Sequence, residues 1–194
     1  MPKNGYLTPS QFSKIMTKPR SKSETWSKTA LTYADEIVLQ LLGIESDDIS
    51  APALDWGNTW EIIARERYER DNFTDVPEIN ESIHHPDFAF VCGTPDGLVG
   101  DAGILEIKCP YASKNHLANL RTGAQIDDYK WQINGYLWIT SREWCDFVSY
   151  DNRFPASMQI AQHRVERDDA LIAELESTIV RFWDLIQSDP LLKR

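Results

Sequence analysis

No apolar run in this sequence approaches the ~20 residues that a membrane-spanning helix requires, which excludes a protein anchored by such helices. The opening residues Met1-Pro2-Lys3-Asn4-Gly5 lack the apolar stretch of a signal peptide, so the expectation is a soluble, unexported protein of the cytoplasm. Cysteine is scarce. Cys92, Cys109 and Cys145 are scattered, odd in number and without a Cys-x-x-Cys pair, which argues against a zinc or iron–sulfur centre and for reduced thiols. His84-His85 and His116 lack metal-ligand spacing. There is no Ser-His-Asp set, phosphate-binding P-loop or dinucleotide fingerprint. Internal repeats, low-complexity tracts and linkers are also missing, and 194 residues suit one domain, 1–194, around one sizeable core.

Charge of one sign is short only locally. The net charge is −10, which argues against general stickiness to nucleic acid. Residues 1–30, however, set Lys3, Lys14, Lys18, Arg20, Lys22 and Lys28 against Glu24 alone, giving +5 there and −15 elsewhere. A basic patch on an acidic body suits a protein that meets DNA on one surface, and a solvated basic loop is the plain alternative.

The periodicity alternates between helix and strand. Thr8-Pro9-Ser10-Gln11 predicts a helix start, with an N-cap hydroxyl, proline at the first helical position and a glutamine closing a capping box. Apolar residues at 30, 31, 34, 37, 38, 41 and 42 predict a helix from about Thr29 to Leu42, ended by Gly43. A third runs from near Gly57 to about Arg70 with Trp60, Ala64 and Tyr68 on its buried stripe and Glu61 beside it. Ile79–Ile83, Phe88–Cys92, Leu98–Val99 and Ile104–Ile107 then read as strands. Ile126–Ile139 returns to helical spacing, Cys145–Tyr150 and Met158–Val165 read as strands, and Asp168 or Asp169 caps a last helix to about Ile186. Trp60, Trp131, Trp138 and Trp183 fall on apolar stripes and are expected in the core. The class is α/β (α+β): a central mixed β-sheet flanked by α-helices.

The chemistry concentrates between Asp96 and Lys108. Leu98–Val99 and Ile104–Lys108 are close enough to pair as a hairpin. A three-residue loop Asp101-Ala102-Gly103, with Gly103 left-handed, would set Gly100 opposite Ile104 and Asp96 opposite Lys108. Asp96, Glu106 and Lys108 would then share one face, while Ile107 turns its side chain to the other and leaves its carbonyl available. A two-residue loop would break the convergence. Two carboxylates and a carbonyl form a hard-oxygen site for Mg²⁺ or Mn²⁺. Such a metal activates water and offsets phosphate charge, and Lys108 can position or deprotonate that water. Taken alone, Glu106-x-Lys108 is far more often a surface ion pair; the apolar flanks Leu105 and Ile107, Asp96 across the turn and the bend at Pro95-Asp96-Gly97 favour the site.

With these residues the sequence resembles the phage lambda-type alkaline exonucleases, the YqaJ-like viral recombinases, which have a restriction-endonuclease-like PD-(D/E)xK core. The resemblance runs from about Leu7 to Tyr150. It is carried by Leu7-Thr8-Pro9-Ser10, Lys18-Pro19-Arg20-Ser21, Leu54-Asp55-Trp56-Gly57 with Glu61, Thr94-Pro95-Asp96-Gly97, Leu105-Glu106-Ile107-Lys108-Cys109-Pro110, and Trp131-Gln132 before Tyr136-Leu137-Trp138. It implies metal ligation by Asp96, Glu106 and the Ile107 carbonyl, with Glu61 near the metals. Lys108 would be the catalytic lysine and Gln132 would attend the nucleophilic water, with two Mg²⁺ (or Mn²⁺) per site. It also implies a 5′-phosphate pocket of Ser10, Thr94 and Lys3, with lysine where the family carries an arginine and so without the bidentate fork. Arg20 would grip DNA and Leu54 wedge between strands at the duplex end. From the residues alone, Ser10 is equally a capping serine, Leu54 a core leucine, and Glu61 and Gln132 unexceptional helix positions.

The activity so implied is a processive 5′→3′ double-strand DNA exonuclease. It would be phage or prophage encoded, act in a bacterial cytoplasm as a ring-shaped homotrimer, and leave 3′ overhangs for a single-strand annealing protein. Two alternatives stay open. One is an endonuclease or helicase-associated nuclease of the same core. The other is a non-catalytic subunit that binds DNA ends.

Overall fold

The computed structural model of the chain describes residues 5–44 and 52–193. Among the described residues, six α-helices and six strands order as α1 (Phe12–Met16), α2 (Lys28–Leu41), α3 (Pro52–Asn72), β1 (Ile83–His84), β2 (Cys92–Gly93), β3 (Gly97–Val99), β4 (Gly103–Lys108), α4 (Ser113–Thr122), α5 (Ile126–Thr140), β5 (Trp144–Tyr150), β6 (Ile160–Glu166) and α6 (Asp169–Gln187). The main sheet has the order β3-β4-β5-β6, with β4 and β5 parallel and the outer pairs antiparallel. Its single parallel step is made by the α4–α5 crossover, as a parallel pair requires.

Alternation along β4 and β5 divides the core. Leu105, Ile107, Val148 and Tyr150 face α3 and pack on Ala64 and Tyr68. Ile104, Cys145 and Phe147 face α5 and pack on Ile133, Tyr136 and Leu137. Beyond α5, residues of α1, α2 and α6 close a third cluster that includes Trp138 and Ile139. Helix α5 is therefore enclosed by sheet on one side and helices on the other, and Ile133 through Ile139 are buried without a break. That stretch has no solvent face and needs no polar stripe, while Asp127 and Asp128 in the first turn stay exposed. Of the four tryptophans expected inside, Trp138 is buried, and Trp60, Trp131 and Trp183 are partly buried against the core.

Several boundaries differ from the sequence expectation for identifiable reasons. The chain at Pro9–Gln11 is a 3₁₀ turn, and Thr8 makes no side-chain cap bond because its Oγ1 pairs with Ser10 Oγ at 3.2 Å. The capping box does not form, and α1, only five residues long, starts after Gln11. Helix α3 begins at Pro52, five residues before Gly57, and so carries a glycine inside it. The strands expected at 79–83 and 88–92 shrink to two residues each. Here His85 Nδ1 accepts the amides of Asp87 and Phe88 at 3.1 and 3.3 Å and turns the chain. Phe88 and Phe90 go to Trp138 and Trp183 instead. Helix α4 was not foreseen because its inward face is polar: His116 and Asn119 are fully buried. His116 bonds Ser149 Oγ and the Met158 carbonyl, and Asn119 pairs with Gln125. The cap expected from Asp168 is present, with its carboxylate accepting the Ala170 and Leu171 amides.

The hairpin itself is shifted. Val99 pairs with Gly103 and Gly97 with Leu105, so the turn is Gly100-Asp101-Ala102 and the left-handed residue is Gly100, at φ +52°. Gly103 serves another purpose: a β-carbon there would lie 2.1 Å from the Trp144 ring. Continuing the register sets Asp96 across from Glu106 rather than Lys108. The slip is two residues, so with a side-chain period of two every residue keeps its face. Arg142 Nη1 holds the turn through the Gly100 and Gly103 carbonyls at 2.8 and 2.7 Å.

Candidate active site

Strand β4 delivers Glu106 and Lys108 to its α5 side. There Lys108 Nζ and Gln132 Nε2 both donate to Glu106 Oε1, each at 2.5 Å. Asp96, in the extended segment entering β3, accepts the Ile107 amide on Oδ2 at 2.6 Å. The hairpin and α5 thus bring together Asp96, Glu106, Ile107, Lys108 and Gln132. Glu61, from α3, lines a cleft with Ile107 and Lys108, and its Oε1 takes Arg65 Nη2 at 3.3 Å. The cleft holds about 490 Å³, and its wall runs from Gly57, Asn58 and Glu61 through Ile107–Ala112 to Tyr129.

Crowding acids into this corner distorts their titration. Burial, followed by repulsion from Glu106, pushes Asp96 up to about 7, with Lys108 opposing. Glu106, 1% exposed, is raised by burial despite Lys108. Glu61 is raised by burial and by Asp96 against the pull of Arg65. Burial alone would lower Lys108, but Glu106 and Asp96 outweigh it and hold the ammonium proton firmly. Cys109, the next residue, is pushed up to about 12, chiefly by burial, and is an inert thiol at neutral pH.

Two atoms in this corner are buried without a hydrogen-bond partner among the described residues: Glu106 Oε2 and Arg65 Nη1. A carboxylate oxygen that has lost water and gained no donor is an unmet acceptor, and it fits a bound cation. The donor set of two carboxylates and a main-chain oxygen has the hardness Mg²⁺ prefers. Among the described residues no three His, Cys, Asp or Glu side chains are already gathered as a metal cage, and Glu61 is held by Arg65 instead. Arg65 and Tyr129 were both missed by the sequence reading. Arg65 was signalled by its i+4 spacing from Glu61. Tyr129, whose ring centre lies 4.9 Å from Lys108 Nζ, had no signal beyond its place on the α5 stripe.

The remaining expected residues divide. Pro9 and Tyr136 close on Gly93, where a β-carbon would lie 2.8 Å from each, so Ser10 and Thr94 each follow a member of that packed group. Thr94 Oγ1 pairs with Ser82 Oγ at 3.3 Å. With only a short 3₁₀ turn at Pro9–Gln11, Ser10 lacks the long helix dipole expected to favour an anion there. Arg20 lies apart from the acid cluster, in a groove of about 830 Å³ shared with Lys14, Lys18 and Lys28 and edged by Glu24 and Glu36. Lys14 is tied to Glu36 at 3.3 Å. Lys18, Arg20 and Lys28 have no ion-pair partner among the described residues, which gives the basic N-terminal charge a concave surface. Lys3 and the Leu54 side chain fall outside the described residues.

A mixed sheet flanked by helices, with Asp and Glu-x-Lys converging on its β3–β4 hairpin, defines the class: a PD-(D/E)xK fold. The YqaJ-like viral recombinase domain matches residues 2–143, and the chain belongs to that family. Among solved structures, it is similar to an alkaline exonuclease (LHK-Exo) from Laribacter hongkongensis, with 36% identity, TM-score 0.86, and coverage of 96% of this chain and 90% of that one. LHK-Exo in complex with dAMP matches over the same shares at 37% identity and the same TM-score. A phage-related exonuclease from Haemophilus somnus 129PT shares the fold, with TM-score 0.75 at 19% identity over 94% of this chain and 95% of that one. No curated relative matches the sequence. Among the described residues no helix is long and apolar enough to cross a membrane.

Proposed function

We propose that the protein is a metal-dependent DNA exonuclease that enters at duplex ends and hydrolyses the 5′-ended strand 5′→3′, leaving a 3′ overhang for recombination. Family membership and the likeness to an alkaline exonuclease support nuclease activity. The observation that carries the reading is the acid corner, where Glu106 Oε2 is buried and unpartnered beside Asp96 and Lys108.

Asp96, Glu106 and the Ile107 carbonyl are the ligands we assign to Mg²⁺, or to Mn²⁺ as a substitute, with Glu61 serving a second ion. The ions, when bound, supply Lewis acidity and a water of lowered pKa. Lys108 keeps its proton in the field of two carboxylates, so it works as a fixed ammonium that orients the water and steadies charge on the phosphate. Gln132, committed through Nε2 to Glu106, leaves Oε1 to accept a hydrogen bond from that water and so orient it. Ser10 and Thr94, with Lys3, are assigned to the 5′-phosphate and so set polarity. Arg20 is assigned to the duplex backbone and Leu54 to the strand junction.

A homotrimeric ring threaded on DNA would make digestion processive by topology, and a single-strand annealing protein would receive the overhang. The test is digestion of linear duplex bearing 5′-phosphate or 5′-hydroxyl, with closed circles as control, in Mg²⁺ and in EDTA. We expect 5′-phosphorylated linear DNA to be resected only with Mg²⁺ and circles to be spared. Cut circles would mean an endonuclease, and intact linear DNA would sink the reading.

A further inference from the structure

We propose that Tyr111 is a stacking platform for the base of the 5′-terminal nucleotide, whose 3′ phosphodiester is the bond held at Lys108, a proposal that rests on the nuclease reading above. Strand β4 ends at Lys108, and the chain continues as Cys109-Pro110-Tyr111 along the wall of the acid cleft. Three residues separate the two α-carbons by at most about 10 Å, and the Lys108 and Tyr111 side chains line the same cleft. The cleft, at about 490 Å³, is of the size that takes a small ligand.

Tyr111 is 58% exposed, and an exposed aromatic ring in a loop is ordinarily loose. This one is fixed from behind. Arg153 Nη2 donates to the Pro110 and Tyr111 carbonyls at 3.1 and 3.0 Å. The same guanidinium is gripped by Asp151 at 2.7 and 2.8 Å, and that carboxylate is buried. Its carbon lies 4.5 Å from the centre of the Trp56 ring, and Trp56 in turn meets Tyr111 edge-on at 5.9 Å and 89°. Trp56 is backed by Trp60 at 5.6 Å. Backbone and ring are thus both held before any ligand arrives, and a preordered surface loses little freedom on binding. A flat π-face also accepts every base, which suits an enzyme that must degrade any sequence. By holding the base, Tyr111 positions that 3′ phosphodiester against Lys108.

The experiment uses two 5′-phosphorylated duplexes identical except that the 5′-terminal nucleotide carries a base or is a stable abasic residue, with first-nucleotide release measured in single turnovers. We expect the native protein to release the abasic residue about tenfold more slowly, in line with the loss of one aromatic–base stack. Tyr111→Ala should bring that ratio to about one, and Tyr111→Phe should preserve it. A native ratio near one, or an unchanged ratio in Tyr111→Ala, overturns the proposal. If neither duplex is cut, the nuclease reading fails and the platform is judged by binding. Calorimetry in Mg²⁺ should then show dAMP held about tenfold more tightly than 2-deoxyribose 5-phosphate, with the difference lost in Tyr111→Ala; equal affinities in the native protein overturn it.

Discussion

Replacing Asp96 by asparagine should inactivate the protein yet stabilise it when no metal is present. The carboxyl titrates near 7 instead of the usual 3.8, because burial and Glu106 disfavour its charge. A rise of about three pH units corresponds to about 4 kcal/mol at 1.36 kcal/mol per unit. Part of that is mutual repulsion with Glu106, which rearranges when either acid changes, and asparagine can still accept the Ile107 amide, so we expect a gain of about 2 kcal/mol. The sign depends on pH. A carboxyl whose folded pKa lies above its unfolded pKa binds its proton more tightly in the native state. Its favourable share is fully present below about pH 4 and is lost as pH rises through 7. Urea unfolding in EDTA should therefore give native and Asp96→Asn proteins of similar stability at pH 4.5, with the variant ahead at pH 8. Adding Mg²⁺ at a hundred times its dissociation constant should raise the native protein by about 2.7 kcal/mol and leave the variant behind. A variant less stable than native at pH 8 in EDTA, or a difference that does not change with pH, would refute the reasoning.

Three other outcomes follow from single contacts. Lys108→Ala should slow cleavage by about 10²–10⁴ while duplex binding, followed by fluorescence anisotropy, stays within a few-fold; retained turnover would remove Lys108 from the chemistry. His85 is held neutral by burial and must keep Nδ1 unprotonated to accept two amides, so its pKa is lowered. Its contribution is present above about pH 6.5 and lost as pH falls through the folded pKa, so a His85 NMR titration at or above 6.5 would contradict this. Tyr68→Phe removes the 2.7 Å bond to buried Asp146, which keeps Arg164 and Gln162. A loss of about 1–2 kcal/mol in urea unfolding is expected, and an unchanged midpoint would show that the remaining partners suffice.

The acid corner was legible because its faces depend only on parity. The sequence reading misjudged which residues turn at 100–103, yet Asp96, Glu106 and Lys108 still converge, since a slip of two leaves every side chain on its side. Long helices with apolar stripes, α2 and α6 above all, were legible from period alone. Helix α4 was not, because a helix that buries His116 and Asn119 shows no apolar stripe, and their partners Ser149, Met158 and Gln125 are distant in sequence or outside the helix. The segment 79–92 misled for the opposite reason. It is rich in apolar residues, but His85 bends it and its rings pack sideways into the helical cluster. Arg65 escaped notice although its i+4 spacing from Glu61 marked a pair, because such pairs are common on exposed helix faces and only the fold shows this one at the cleft with a buried, unpartnered Nη1.

The same corner explains why this protein carries its acids where burial penalises them. Three carboxyl groups face two fixed cations, Lys108 and Arg65, and all three acids are pushed toward protonation. Evolution toward stability alone would replace Glu106 with a residue that satisfies Gln132 and Lys108 without an orphan oxygen. The position instead keeps one oxygen tied to two donors and the other bare. Tying Oε1 fixes the rotamer, so Oε2 points where it does without help from a ligand. The surrounding fold supplies the rigidity: β4 is hydrogen-bonded on both edges, and Arg142 pins the hairpin turn. A site of this kind gives up native-state stability for an aimed negative charge, and the cation we propose there would restore the balance.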